Sequence, residues 1–210
     1  FYEDMLGPLL RVRDRFLAPG GTLIPARVSL GGALVKDRYH YDELSSLRGR
    51  PYDIDFGPIA EAPFQQVLPE TFIEAQLLGP PIDFGTLDLA ALAAPPRELV
   101  GTVRPPRAAE VFGFCGWFTA ELAPAVSLGT GPADPPTHWS QLYFPFPEPF
   151  PVDPSREVTI RVGLPRSGAG DDRHWNWSIA DARESLVMND YDFCEELDPE
   201  LPRGRLSGAG

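Results

Sequence analysis

Positive charge is scarce in this chain. Eighteen lysine and arginine residues stand against 30 aspartates and glutamates, for a formal net charge of −12 at pH 7. Nucleic acid is bound by neutralising phosphates with clustered Lys and Arg, so this balance excludes it as an expected partner. A cationic peptide would instead be attracted over a Debye length. Cysteine is rarer still. Cys115 and Cys194 are far apart in the chain, which makes neither a disulfide framework nor a metal-like spacing and points to a reducing compartment, the cytoplasm or the nucleus. Three well-separated histidines, His40, His138 and His174, do not make a zinc site, so no metal is expected. No apolar run reaches the roughly 18 residues of a membrane span, and the amino terminus carries no basic segment followed by an apolar one. The expectation is a soluble protein with no membrane partner. No internal repeat at a period of about 20 to 50 residues is visible.

Proline and glycine are plentiful, at 25 and 20 residues. That density disfavours an all-helical fold and suits short strands joined by rigid turns. Val158, Ile160, Val162 and four tryptophans exclude a disordered chain outside the tail. The length fits one well-buried domain. Residues 3–17 read as a helix, because Met5, Leu9, Val12 and Phe16 recur at helical spacing and Leu6, Leu10 and Leu17 widen the stripe. Pro19-Gly20-Gly21 ends it. Beyond Gly21 the period is two. Strands are expected at Val28–Leu34, with a bulge at Gly31-Gly32, and at Phe72–Leu78, Leu99–Val103, Val158–Leu164 and Trp175–Ile179. Val111–Leu122 is apolar on both faces and should be central. Residues 37–60 interrupt this pattern as a helical excursion, and residues 196–210 read as a flexible tail. The fold class that follows is mainly β. It is a β-barrel, or two-sheet barrel-like sandwich, with an entry helix over 1–20, a barrel over 21–195 bearing an arm at about 37–60, and the tail.

Two segments invite a chemical reading. Ser167-Gly-Ala-Gly-Asp-Asp172 follows a strand, as a nucleotide loop would, but the strand-like Arg173–Ser178 comes next where a helix is required, so it is a hairpin turn. Thr137-His138-Trp139 lies between a Pro-Gly loop, Ser127–Pro136, and an aromatic strand, Gln141–Phe144. A β-scaffold presents side chains to a site in this way. With Phe1-Tyr-Glu-Asp-Met-Leu6 and Val12-Arg-Asp-Arg-Phe-Leu-Ala-Pro-Gly-Gly21, it resembles the carboxy-terminal part of a protein arginine N-methyltransferase, over about residues 1–180.

That resemblance implies several things. Glu3 would be the second of two glutamates gripping the substrate guanidinium, the first preceding Phe1, with Tyr2 and Met5 beside it. A carboxylate can accept a bidentate fork from a guanidinium and so fix the reacting nitrogen. His138 and Trp139 would pack on that hairpin, the histidine supporting it or taking a proton, the tryptophan walling the channel. Residues 37–60 would be a dimerisation arm with Tyr52, Ile54, Phe56 and Ile59 as its apolar face, giving a homodimer. S-adenosylmethionine would be bound by a domain outside this chain, which alone should not bind it. Arginine-containing proteins or peptides would be the substrates. Read without the family, Glu3 is an acid at the positive end of a helix dipole, and His138 is a hydrogen-bonding loop residue. Two alternatives stand beside the enzyme. One is a non-enzymatic β-sandwich stacking sugars on Trp117, Trp175 or Trp177. The other is an inactive methyltransferase-like partner subunit.

Overall fold

The computed structural model describes residues 5–165 and 174–189. The described residues begin with α1 (Leu6–Phe16) and β1 (Arg27–Val35), then make α2 (Tyr39–Leu44) and four short 3-10 turns. Nine strands follow among the described residues: β2 (Leu68–Glu70), β3 (Leu77–Asp88), β4 (Glu98–Val103), β5 (Ala109–Ala123), β6 (Val126–Gly129), β7 (Gln141–Val152), β8 (Val158–Gly163), β9 (Asn176–Ala180) and β10 (Ser185–Asn189). One sheet runs β2-β7-β5-β1-β3 with β6 added on β5, and the other runs β10-β9-β8-β4. The long apolar strand β5 is central, flanked by β1 on one side and by β7 on the other.

The inner faces of the two sheets share one core, where Phe114, Phe144 and Phe146 meet Ile160, Trp177 and Ile179. The rings of Phe114 and Phe144 stack with centroids 4.4 Å apart, and Trp177 Nε1 donates to the Pro145 carbonyl at 3.0 Å. The indole therefore keeps a hydrogen bond while its rings leave water. Trp175 and Trp177 are both buried, and Trp117 is half-buried. Two of the three tryptophans that would have stacked sugars, Trp175 and Trp177, are therefore core residues with no face to offer. The bulge at Gly31-Gly32 is present as register shifts against β3. Close approach of β5 requires glycine at both positions: a Cβ on Gly31 would lie 2.8 Å from Trp117 Nε1, and one on Gly32 would lie 2.7 Å from the Cys115 carbonyl oxygen.

Several expectations need correction. Only Leu77 and Leu78 of the 72–78 segment are in a strand. The Phe72 and Ile73 N–H groups are diverted to the Gln141 and Gln76 side chains, and Glu74–Gln76 is a 3-10 turn. Conversely, β3 continues through Gly79-Pro80-Pro81, which fall where its register against β1 shifts, between the Leu34–Leu78 and Gly32–Ile82 pairs, so neither proline has to supply a ladder hydrogen bond. In α1 the buried residue is Leu10, whereas Met5, Val12 and Phe16 of the apolar stripe are exposed. His40 lies in α2. Its ring meets Phe72 and Tyr143 at centroid distances of 5.1 and 5.7 Å, with the carboxylates of Glu43 and Glu70 within 3.9 Å. The expected turn at 167–172, the tail at 196–210 and Cys194 lie outside the described residues. The strands flanking that turn, β8 and β9, do pair antiparallel.

The excursion at 37–60 is anchored at its base and open at its tip. Tyr41 packs on Phe64 and Phe112. Arg48 pairs with Glu61, donates to the Pro147 carbonyl at 2.8 Å and lies 4.3 Å over the Phe64 ring. Further out, Arg50, Tyr52 and Asp53 have positive φ, and Tyr52 is 94% exposed. Ile54 and Ile59 are exposed too, while Phe56 is half-buried.

Candidate substrate site at one end of the barrel

The loop between β6 and β7 is braced at both ends. Thr130 continues from β6 by donating its N–H to the Phe118 carbonyl, and its hydroxyl oxygen accepts the Phe118 N–H. Asp134 closes the next turn, accepting the Gly131 N–H at 2.9 Å. At the far end Gln141 is buried and bridges two segments: its Nε2 donates to the Thr130 carbonyl at 2.8 Å, and its Oε1 accepts the Phe72 N–H at 2.6 Å. Between these braces, the Thr137 hydroxyl oxygen accepts the Trp139 N–H at 3.2 Å and the hydroxyl reaches the Trp139 carbonyl at 2.9 Å, which shapes the tip. The loop thus holds His138 and Trp139 outward on a fixed frame. Trp139 is 51% exposed, and its ring meets Phe118 edge-on at 6.1 Å.

The register brings this loop and the seat of α1 to one end of the larger sheet. Gly129, where β6 ends, pairs with Thr119, which pairs with Ser29 of β1. Arg27, two residues earlier on β1, pairs with Asp88, where β3 ends. Two residues of strand are about 7 Å. The turn after Asp88 receives Arg13 of α1.

Of the residues that the sequence singled out, Met5 stands exposed at the N-cap of α1, and His138 and Trp139 stand exposed on the loop. Tyr2 and Glu3 lie outside the described residues. Sequence reasoning missed Gln141, Thr130 and Arg13. Only a buried polar residue with partners from distant segments reveals such a role, and that signal is tertiary. Among the described residues, no cluster of three His, Cys, Asp or Glu side chains is arranged for a metal. The Cys115 thiol is pushed up to about 12 by burial, so it is no nucleophile at neutral pH.

A mainly antiparallel two-sheet barrel with an entry helix, an anchored arm and a braced His-Trp loop is the architecture to be matched. A family model described as the arginine methyltransferase oligomerization subdomain matches residues 29–180. The chain belongs to that family. Among curated proteins, it is 30% identical over 152 residues to protein arginine N-methyltransferase 1 of Schizosaccharomyces pombe, covering 68% of this chain and 44% of that protein. It is 28% identical over 180 residues to a probable histone-arginine methyltransferase CARM1 of Oryza sativa, covering 77% of this chain and 33% of that protein. The chain therefore spans less than half the length of these two relatives. Among solved structures, the Trypanosoma brucei PRMT1 enzyme-prozyme heterotetrameric complex with AdoHcy matches with a TM-score of 0.75 at 19% identity, over 90% of this chain and 63% of that one. Arabidopsis thaliana protein arginine methyltransferase 10 matches with a TM-score of 0.64 at 20% identity, over 89% of this chain and 65% of that one. At these identities the two likenesses describe the fold.

Proposed function

We propose that this chain is the substrate-binding and dimerisation barrel of a protein arginine N-methyltransferase that methylates guanidinium nitrogens in proteins. The observation that carries this reading is the braced loop holding His138 and Trp139 outward at the end of the sheet where α1 is seated. In the complete protein, Glu3 would accept the guanidinium fork just ahead of α1, and His138 would support that hairpin or receive a proton. Tyr2, Met5 and Trp139 would line the arginine channel. S-adenosylmethionine would supply the methyl group. The described residues do not fit it: α2 follows β1 through Lys36-Asp37-Arg38 with no glycine-rich turn, and no other strand leads into an α-helix. Its binding site would lie in another domain.

The arm suits a second copy. Its base is fixed by Arg48, and its exposed apolar tip of Tyr52, Ile54 and Ile59 gains only by covering another surface. A homodimer is expected, and light scattering that finds the full-length protein monomeric at tens of micromolar would overturn this part.

The test of the reaction is methylation of an arginine peptide by the full-length protein. Glu3→Gln should lower turnover by on the order of a hundredfold or more, and His138→Ala by roughly tenfold to a thousandfold, with cofactor binding and melting temperature nearly unchanged. Wild-type turnover in Glu3→Gln would remove Glu3 from its role. A full-length protein that dimerises but methylates nothing would be an inactive partner subunit.

A further inference from the structure

We propose that the fork between Arg48 and Glu61 pre-organises the segment 49–60 for docking on a second copy of this chain, which makes Arg48 a positioning residue for assembly. The proposal rests on the homodimer reading for the identity of the partner. Its structural part rests on contacts made between the excursion and the barrel, all inside the residues 29–180 matched by the oligomerization subdomain.

Arg48 closes the excursion on itself. The returning limb is rooted by Ala60 and Phe64, both buried. The outgoing limb carries Arg48 in the turn Ser45–Gly49. Nε donates to Glu61 Oε1 at 2.7 Å and Nη2 donates to Oε2, a two-point fork between residues 13 positions apart. Nη1 donates to the Pro147 carbonyl of β7 at 2.8 Å, and the guanidinium lies 4.3 Å over the Phe64 ring. Tyr41, packed on Phe64 and Phe112, sets its hydroxyl 3.4 Å from both Nη1 and the Pro147 carbonyl. One planar side chain thus ties the outgoing limb to the returning limb and to the barrel.

The segment closed in this way is under backbone strain. Arg50, Tyr52 and Asp53 take φ of 52°, 57° and 60°, a left-handed region that residues with a Cβ adopt at a cost. The bonds around and beyond them are short-range. Ile54 N–H donates to the Pro51 carbonyl, Gly57 N–H to Asp55 Oδ1, and Ile59 N–H to the Phe56 carbonyl. Such strain persists where the surroundings over-determine it, and the fork does so by pinning both ends of the segment.

Pre-organisation acts on affinity through the fraction of chains in the docking shape. When that fraction falls, the apparent dissociation constant rises by the same factor. A two-fold dimer docks two arms, so the factor enters twice. Loss of one charge-assisted bracket should lower the fraction by roughly fivefold to tenfold. The dimer constant then rises by roughly 25- to 100-fold when both arms lack the fork, and by roughly fivefold to tenfold when one does.

The experiment uses the full-length protein with Arg48→Met, which keeps the apolar stem and removes the donors, Arg48→Lys, which keeps the charge without the planar fork, and Glu61→Gln. Dimer constants come from light scattering on dilution. A labelled Arg48→Met chain at trace concentration, titrated with wild type, gives the mixed dimer. Hydrogen exchange is followed below the dimer constant. Arg48→Met should show the larger rise, the mixed dimer about its square root, and exchange at 49–60 faster by roughly fivefold to tenfold while β5 and β8 keep their protection. Arg48→Lys should recover part of the loss, and Glu61→Gln should add little once Arg48 is Met. A wild-type dimer constant in Arg48→Met would overturn the proposal, as would a mixed dimer as weak as the variant homodimer. So would exchange that rises equally in β5 and β8, the mark of a residue that merely stabilises the barrel. If Arg48→Met does not fold, Arg48→Lys and Glu61→Gln decide by the same measurements. A wild-type protein that is monomeric at tens of micromolar sinks the homodimer reading and the assembly half of this proposal, while exchange at 49–60 still decides whether the fork orders the segment.

Discussion

Trp177 and Phe16 are both large aromatic side chains, yet Trp177 is 1% exposed between the two sheets and Phe16 is 69% exposed on α1. Around Trp177 the order comes from apolar packing: Phe144 meets its ring edge-on at 5.8 Å, and one hydrogen bond to Pro145 satisfies the indole. Around α1 and the His138 loop, order comes from polar brackets instead. Arg13 takes carbonyls from the turn after β3, and Gln141 ties Thr130 to Phe72. The two regions teach different lessons about strength and aim. Non-directional burial supplies most of the stability and tolerates small rotations, whereas hydrogen bonds add little net stability but fix direction.

This contrast can be broken by substitution. The largest effect is expected for Trp177→Ala, which should cost about 3–5 kcal/mol in urea unfolding of the barrel. A cost below about 1 kcal/mol would mean that the core is not where stability resides. Gln141→Leu keeps the volume but strands the Thr130 carbonyl and the Phe72 N–H, so about 1–3 kcal/mol should be lost. Its sharper signature is local, namely faster hydrogen exchange at residues 130–139 with the inner strands still protected. If protection falls everywhere instead, Gln141 belongs to the core and not to the loop frame. Phe16→Ser should change barrel stability by no more than about 0.5 kcal/mol. A larger loss would show that the exposed face of α1 is buried in solution by something absent from this chain.

Much of the fold was legible in advance. Val158, Ile160 and Val162 alternate with polar residues and are buried in β8, because one face of a half-buried strand must leave water. Val111–Leu122 is apolar on both faces and became the central strand β5. The helix at the amino end was legible as a helix but not in its docking. Periodicity marks an apolar stripe, while Met5, Val12 and Phe16 point away from the barrel and Leu10 points toward it. The strand at 79–88 was hidden by Gly79-Pro80-Pro81, since local punctuation cannot say that these residues fall in a bulge of the ladder against β1. The Thr137-His138-Trp139 loop was found through its setting in the chain and its family likeness. The Gln141 bracket behind it was not, because its partners, Thr130 and Phe72, are 11 and 69 positions away.

The sequence by itself determined the mainly β class, the half-buried strands, the presence of an entry helix and an excursion at 37–60, and the loop that carries His138 and Trp139. Each is written in short-range patterns of side-chain polarity, glycine and proline. The tertiary structure alone decided which face of α1 meets the barrel, how Arg48 anchors the excursion, that Arg13 reaches the turn after β3, and that Gln141 and Thr130 brace the His138 loop. Those roles depend on carbonyl and N–H groups that converge only after distant segments pair, and no local pattern of residues encodes which of them will be left without a partner.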